Sequence, residues 1–533
     1  MKKLISLLLA LCMLFALAAC GAADDAADDA AADDVAADDA AADDAAADDA
    51  AADAGETYTI TWYMGGAAQT DMPMVQEALA KYINETYGMN IALNIVMTPF
   101  GDLGQKMSMV LSSGEDWDLC YTATWANNYA QNMANGAYLP LEELLPEYAP
   151  ELYDFVGAYW ASVTSDGHIW AVPNIQLEYK YNFLSMPTYW VDMYNATNPA
   201  VKAEQGNYET IADMNDFFYW LKTNVVDAGV ELNGVAPKYV YRSGRADAYA
   251  YLMEDTGLGM TYFKFGDETN TVYSQWDFED WVADSYVFQD WYNDGLIQSD
   301  IISATDFQNS DYASGLWMTA AHPTFKPGED ANQALYWDLP VDELTFFTFG
   351  EPWSSTGAVL STLTAVNANC KNPAVVMEFL NIINTDATAF NMLCFGVQDY
   401  HYTVVDGCVQ PSTENTGYDP NCDWAFGNQF LAIPRAGQSA DIWEVTAEMN
   451  ETANVSCAMG FMPDGTPIET QIANVAVVTE QYDKTFGNGA MSGSDDDWAN
   501  FIEQYKTEYY AAGAQDVIDE IQSQVDAWMA ANA

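Results

Sequence analysis

Residues Tyr58 to Tyr63 (YTITWY) alternate in hydropathy as a strand does, and Gly65-Gly66 ends the alternation. Val75, Leu79, Tyr82 and Ile83 then recur at helical spacing behind Pro73, a residue suited to a first helical turn. Ile91 to Val96 (IALNIV) predicts a second strand. Leu103, Met107 and either Val110 or Leu111 predict a second helix, which Gly114 closes, and Leu119-Cys120-Tyr121 predicts a third strand. Strand, helix, strand, helix, strand in that order implies an α/β fold with a parallel sheet covered by helices. Such sheets bind ligands beyond the carboxyl ends of their strands. That places interest on the loops Met64 to Gln69, Thr98 to Asp102 and Thr122 to Asn128. The last of them sets the Trp125 indole beside the amides of Asn127 and Asn128, although a packed or capping aromatic fits the same pattern.

Farther along, Asp166 to Pro173 reads as a tight turn and a strand that runs on through an extended stretch to Asn182. Gly315 to Ala320 is a second passage of this kind. Extended segments this long can leave one sheet and enter another. Helical patterns fill Met214 to Val225 and Phe278 to Asp294, so Trp220, Trp281 and Trp291, like Trp160, are assigned to packing. Leu344 to Phe349 is strand-like and leads into Gly350-Glu351-Pro352-Trp353. Asn372-Pro373 opens another helix, and Ile518, Ile521, Val525 and Trp528 line one face of a terminal one.

The amino-terminal segment follows a different logic. Lys2 and Lys3 precede an apolar run from Leu4 to Leu17, shorter than the roughly 20 residues a membrane-spanning helix needs. The run fits the hydrophobic region of a secretory signal. Leu17-Ala18-Ala19-Cys20 resembles the lipobox of bacterial lipoproteins, which implies that Cys20 takes a diacylglyceryl group and becomes the mature amino terminus. An ordinary signal peptide with an incidental cysteine is the alternative. Two or more acyl chains anchor stably where one binds only marginally. The Ala/Asp ladder that follows, residues 21–56, builds no core, and its charges repel, as expected of a disordered tether. As a coil it spans about 30 Å, and fully extended about 120 Å.

The chain has 533 residues, 16 Lys and Arg, and a formal net charge of -63. That balance argues against nucleic acid or an anionic membrane face as partner. The cluster Arg242-Ser243-Gly244-Arg245 leaves room for one anionic group. Beyond Cys12 and Cys20, six cysteines are irregularly spaced. An exported chain permits disulfides, with Cys408 and Cys422 the nearest candidates for a bridge and free buried thiols the equal alternative. His168, His322 and His401 lie far apart, and no HExxH, CxxC or EF-hand spacing occurs. Ser494-Asp495-Asp496-Asp497 lacks the Gly and Glu of a calcium loop. No metal, cofactor or catalytic residue is assigned.

Several segments carry a family resemblance. DGHIWAVPN followed by LEYKYNF resembles the first hinge crossover of maltodextrin-type receptors. ASGLWMTAA resembles the segment that returns to the first lobe, and NPAVVMEFLNIINT the helix after it. CFGVQDYHYTVVDG, WAFGNQF, MGFMPD, TEQYDKTFGNG and AGAQDVIDEIQSQVDAW resemble the C-terminal domain of larger Firmicutes lipoproteins of this type. Over about residues 58–533 the chain thus resembles the family 1 extracellular solute-binding lipoproteins, receptor subunits of ABC importers. The resemblance implies a periplasmic-binding-protein-like fold: two α/β lobes joined by hinge crossover strands, with the ligand cleft between them. The expected boundaries are a signal over 1–20 and a tether over 21–56. The first lobe then takes 57–173 and 315–368, and the second 174–314 and 369–533, with an extension from about 390. It further implies a monomer, lipid-anchored on the extracellular face, that closes on a small solute, hands it to the permease subunits and does no covalent chemistry.

The 17 Trp and 33 Tyr favour an oligosaccharide as that solute, because sugar rings offer flat C–H faces to indoles and hydroxyls to polar side chains. Trp62, Trp125, Trp317 and Trp353 are the candidate platforms. Gln69, Asn127, Asn174, Gln176 and His322 are the candidate hydrogen-bonding residues. Each of these also admits a plain packing role. A peptide or another small polar solute is the competing ligand. A tethered glycoside hydrolase would need two carboxylates about 5 to 9.5 Å apart, and no segment reads as such a catalytic motif.

Overall fold

Strand Tyr58–Gly65 is the centre of the first lobe. It runs parallel to Ile91–Thr98, residue for residue from Tyr58 opposite Ile91 to Gly65 opposite Thr98, and parallel to Leu119–Thr122 on its other side. The intervening helices, Met72–Tyr87 and Phe100–Ser113, are the two expected crossovers. Val75, Leu79 and Ile83 of the first are buried, and Gly88 closes it in the left-handed region, its N–H donating to the Asn84 carbonyl. In the second helix Val110 faces the core and Leu111 is exposed, which decides between the two registers. Strand Leu363–Val366 returns antiparallel to Leu119–Thr122, with Val172–Pro173 beyond it. The computed structural model describes residues 56–532 apart from Ser243, Arg245, Ala250, 304–308 and Pro323. The signal segment, Cys20, the Ala/Asp run and part of the Arg242–Arg245 cluster therefore lie outside the described residues.

The second lobe has its own five-stranded sheet, in the order Asn454–Val455, Leu344–Ser354, Lys180–Pro187, Trp317–His322, Tyr239–Tyr241. Its central strand, Lys180–Pro187, has antiparallel neighbours on both sides. Helices Glu279–Asn293, Glu469–Asn488 and Asp495–Ala511 pack over a core containing Phe218, Trp291, Phe486 and Trp498. The last helix, Ala514–Asn532, buries Val517, Ile521 and Val525 against Phe263 and Phe461. The acidic run Asp495-Asp496-Asp497 serves a structural purpose, since Ser494 and Asp497 form a reciprocal cap at that helix's amino end.

Two boundaries differ from the expected ones. Trp317–His322 does not return to the first lobe but pairs with Lys180–Pro187 and Tyr239–Tyr241; the return waits for Leu363–Val366. Alternation identifies a strand, and nothing in it says which sheet the strand joins. Helix Pro373–Thr385 likewise packs in the first core, with Val376, Met377, Phe379, Leu380 and Ile383 buried in the cluster that contains Trp62, and Phe379 edge-on to that ring. Buried residues of the same core continue to Ala432, so residues 373 to about 434 belong to the first lobe. All six described cysteines are free, so Cys408 and Cys422 are not bridged. Burial pushes the Cys422 thiol up to about 12. No helix among the described residues is long and apolar enough to cross a membrane.

The chain passes between the lobes three times, near 174–179, 355–362 and 433–453, and side chains tie these passages together. Asn450 on the third donates its amide to the Gln176 carbonyl (2.8 Å) and accepts the Glu178 N–H (2.9 Å) on the first. Buried Glu254 accepts the Thr356 N–H of the second passage (3.1 Å) and the Ser456 hydroxyl just beyond the third. Burial raises its carboxyl to about 7, helped by the charge of Asp255 and opposed by donors from Ser456, Thr356 and Gly357. A folded-state value above the unfolded one means that the folded protein holds the extra proton between about pH 4.5 and 7. Stability therefore falls as pH rises through that window. Thermal melts at pH 5 and pH 8 should show a larger drop in Tm for the native chain than for Glu254→Gln, which removes the titration; equal drops would refute the assignment.

Candidate functional site

Between the lobes lies a cavity of about 230 Å³. Its walls come from the first passage (Gln176, Leu177, Tyr179), the second (Ala358, Ser361), the first lobe (Trp424) and the second lobe (Thr324, Lys326, Glu329). A ligand here touches both lobes and two connections at once, which is the geometry that lets binding favour a closed arrangement.

The first-lobe wall is aromatic. Trp424, on the short turn Asp423–Ala425, stacks on Phe100 with ring centroids 5.2 Å apart and planes 21° from parallel. Trp125 leans on both, at 6.1 Å from Trp424 and 5.2 Å from Phe100, and Tyr121 backs the group edge-on. Trp125 is 54% exposed, and its indole N–H donates to the Ser361 carbonyl at 2.7 Å. That bond fixes the ring on the very passage that lines the cavity. The strand end explains the placement of Phe100: a Cβ at Gly65 would lie inside the Phe100 ring, so glycine is what lets the ring rest against the sheet.

The charged groups are arranged in opposite pairs. Burial alone would raise the Asp423 carboxyl, but Arg435 at 3.1 Å and the Gln429 amide at 2.6 Å outweigh it and hold it below the usual range, with Lys326 adding to the effect. Glu329 moves the other way. Burial raises it, with Lys326, Gln333 and Asn332 offsetting part of the rise. A wall of rings facing one cation and one carboxylate suits an uncharged, hydroxyl-rich ligand better than a single strong charge.

Of the nine residues chosen from the sequence, Gln176 lines the cavity and Trp125 packs against Trp424 of its wall. The other seven are built into the scaffold. Trp62 is wholly buried, edge-on to Phe379 and Phe426 at 6.0 Å each. Asn127 spends its amide on the Tyr121 carbonyl (2.8 Å) and accepts from Asn132 (2.9 Å). Asn174 is buried at the first passage, donating to Thr362 and to the Ala425 carbonyl and accepting from Thr364. Gln69 accepts the Asp419 N–H and so fastens one loop to another. Trp317 donates to Gln298 at 3.0 Å and lies near Arg242. His322 stacks on Phe183 at 4.8 Å and meets the Tyr312 hydroxyl; burial and the Arg242 charge lower it to about 4, so it is neutral. Trp353 stacks on Phe265 at 5.1 Å. Sequence reasoning missed Trp424, Phe100, Lys326 and Glu329. Trp424 opens the WAFGNQF segment, and the Pro-Gly between Lys326 and Glu329 is a turn signal.

Comparison with known proteins bears on the fold. A family model described as a domain of unknown function, DUF3502, matches residues 457–530. A carbohydrate ABC transporter substrate-binding protein of Streptococcus pneumoniae is 24% identical over 494 residues, covering 89% of this chain and 92% of that protein. The crystal structure of the N-glycan transport solute-binding protein NgtS from Streptococcus pneumoniae superposes with a TM-score of 0.73 at 20% identity, covering 90% of this chain and all of that one. Its complex with Man5GlcNAc gives 0.69 at 20% identity, with coverages of 90% and 100%. The fold is thus the two-lobed fold of the solute-binding proteins, and the resemblance read from the sequence is borne out. The matched C-terminal domain starts at 457 rather than near 390, consistent with the packing of 373–434 in the first lobe.

Proposed function

We propose that this chain is the substrate-binding receptor of an ABC importer and that its solute is an oligosaccharide, captured by closure of the two lobes. One observation carries the reading. The cavity between the lobes sets the Trp424 ring, backed by Phe100 and Trp125, against polar groups of the opposite lobe. Stacked rings bind the C–H face of a sugar while the polar side reads its hydroxyls, and closure needs ligand contacts from both lobes. Curated and structural relatives named for carbohydrate and N-glycan transport support the choice of solute over a peptide. The receptor acts without covalent chemistry, as a monomer that hands its cargo to permease subunits. The lipobox-like Leu17-Ala18-Ala19-Cys20 supports a lipid on Cys20 that would hold the receptor on the outer face of the membrane.

Calorimetric titration against Man5GlcNAc, maltodextrins, fructo-oligosaccharides and short peptides tests this. Saturable one-to-one binding of a sugar that is recovered unchanged is the expected result. Binding of peptides alone would replace the solute, and release of a cleaved product would replace the receptor with a hydrolase.

A further inference from the structure

The second-lobe side of the cavity is shaped by four residues, Lys326-Pro327-Gly328-Glu329. The Glu329 N–H donates to the Lys326 carbonyl at 3.0 Å, and Gly328 sits at φ 78°, ψ 0°. With proline before it, this is a type II β-turn, whose first and last residues lie within about 7 Å of each other. Two constraints require Gly328: the left-handed conformation, and a space in which a Cβ would collide with Ile442 of the third passage. The turn is therefore pinned to the connection that joins the lobes. Lys326 and Glu329, at its two ends, both line the cavity.

Glu329 is also held from behind. Gln333 donates to its Oε1 at 2.9 Å and Asn332 to its Oε2 at 3.1 Å. Gln333 in turn accepts the Ser185 hydroxyl (2.8 Å), and Ser185 accepts the Trp337 indole N–H (3.0 Å). Ser185 lies in the buried central strand of the second sheet. The carboxylate thus stands at the end of a hydrogen-bonded chain rooted in the core, with acceptor capacity left on both oxygens. Beside it is an ammonium, which only donates.

We infer that Lys326 and Glu329 form a donor–acceptor pair that reads two adjacent hydroxyls of the sugar ring lying against Trp424, and so determine which stereochemistry the receptor accepts. A hydroxyl both donates and accepts. One of a neighbouring pair can accept from Lys326 while the other donates to Glu329, and the ring face remains free to stack. Ring hydroxyls that project in other directions leave the cation or the carboxylate unpaired once the bound sugar excludes water, and discrimination of that kind is strong. This inference rests on the oligosaccharide reading above and specifies the chemistry of the same site.

The test is calorimetric titration of the full chain with Man5GlcNAc and with derivatives lacking one hydroxyl on a terminal mannose. Lys326→Met and Glu329→Gln should each weaken Man5GlcNAc binding about tenfold to a hundredfold, as expected for loss of a charged hydrogen bond, with Tm unchanged. Removing either of two adjacent hydroxyls should weaken binding to the unaltered protein about as much, and should cost little more in the variant that lacks that hydroxyl's partner. The ligand series leaves the protein intact, so it stands even if a variant folds poorly. Native affinity in both variants, or equal losses for every deoxy derivative in every background, would overturn the assignment while leaving the receptor reading in place. Failure of the unaltered protein to bind any saccharide would overturn both.

Discussion

Trp424→Ala should weaken oligosaccharide binding by a factor of about thirty to several hundred while leaving Tm within a few degrees of the native value. Trp424 is the indole that both lines the cavity and stacks on Phe100. Central aromatic anchors of binding sites cost about 2–4 kcal/mol when truncated, and 1.4 kcal/mol is a factor of about ten in affinity. The residue is only partly covered by protein, so its removal opens little closed core. Calorimetric titration of the variant, together with a thermal melt, checks both halves of the expectation. A native affinity would mean that the ligand lies elsewhere, whereas a collapse in Tm would mean that the ring is core rather than platform. Trp125→Ala should act in the same direction but less strongly, because that ring reaches the site through its contacts with Trp424 and Phe100.

Trp62→Ala should do the opposite, costing about 3–5 kcal/mol of stability, with loss of binding only in proportion to the fraction unfolded. Trp62 lies on the central strand of the first sheet, 1% exposed, and is covered by Phe379 and Phe426. Its indole nitrogen is buried without a hydrogen-bond partner, so packing alone holds it. Trp62→Phe should therefore be much milder, since it keeps most of the ring contact and removes a donor that nothing satisfies. Denaturant unfolding of the two variants measures the contrast. If Trp62→Ala were stable yet unable to bind sugar, the ring would have to be a platform after all.

The contrast between these two tryptophans marks what the sequence could reveal. The βαβαβ start of the first lobe followed from periodicity, down to the buried faces of its helices, because strand and helix spacing is a local property. The rule that ligands sit beyond strand ends directed attention to the loop that contains Trp125, and that ring packs against Trp424 and bonds Ser361, both of which line the cavity. Trp62 satisfied the same local criteria. What buries it is helix Pro373–Thr385 and the turn near Phe426, far away in sequence. No pattern within a strand tells which of its faces another segment will cover. Asn174 and Gln69 are bonded into the scaffold for a related reason: an amide at a chain crossing can hold backbone together as readily as it can hold a ligand. The return of the chain to the first lobe was placed early, at 315, because ASGLWMTAA resembles a returning segment, whereas Trp317–His322 pairs in the second sheet and Leu363–Val366 in the first. Only pairing distinguishes them. The Lys-Pro-Gly-Glu turn was open to local reading throughout, with both charges flanking a turn signal in a chain poor in cations.

If sugar draws two lobes together around a cavity that neither completes alone, the protein must become more compact on binding. Small-angle X-ray scattering with and without saturating Man5GlcNAc detects that change directly. A smaller radius of gyration is expected in the sugar-bound protein, and the same change should be absent in Trp424→Ala at that concentration. Calorimetrically confirmed binding with an unchanged scattering curve would contradict capture by closure.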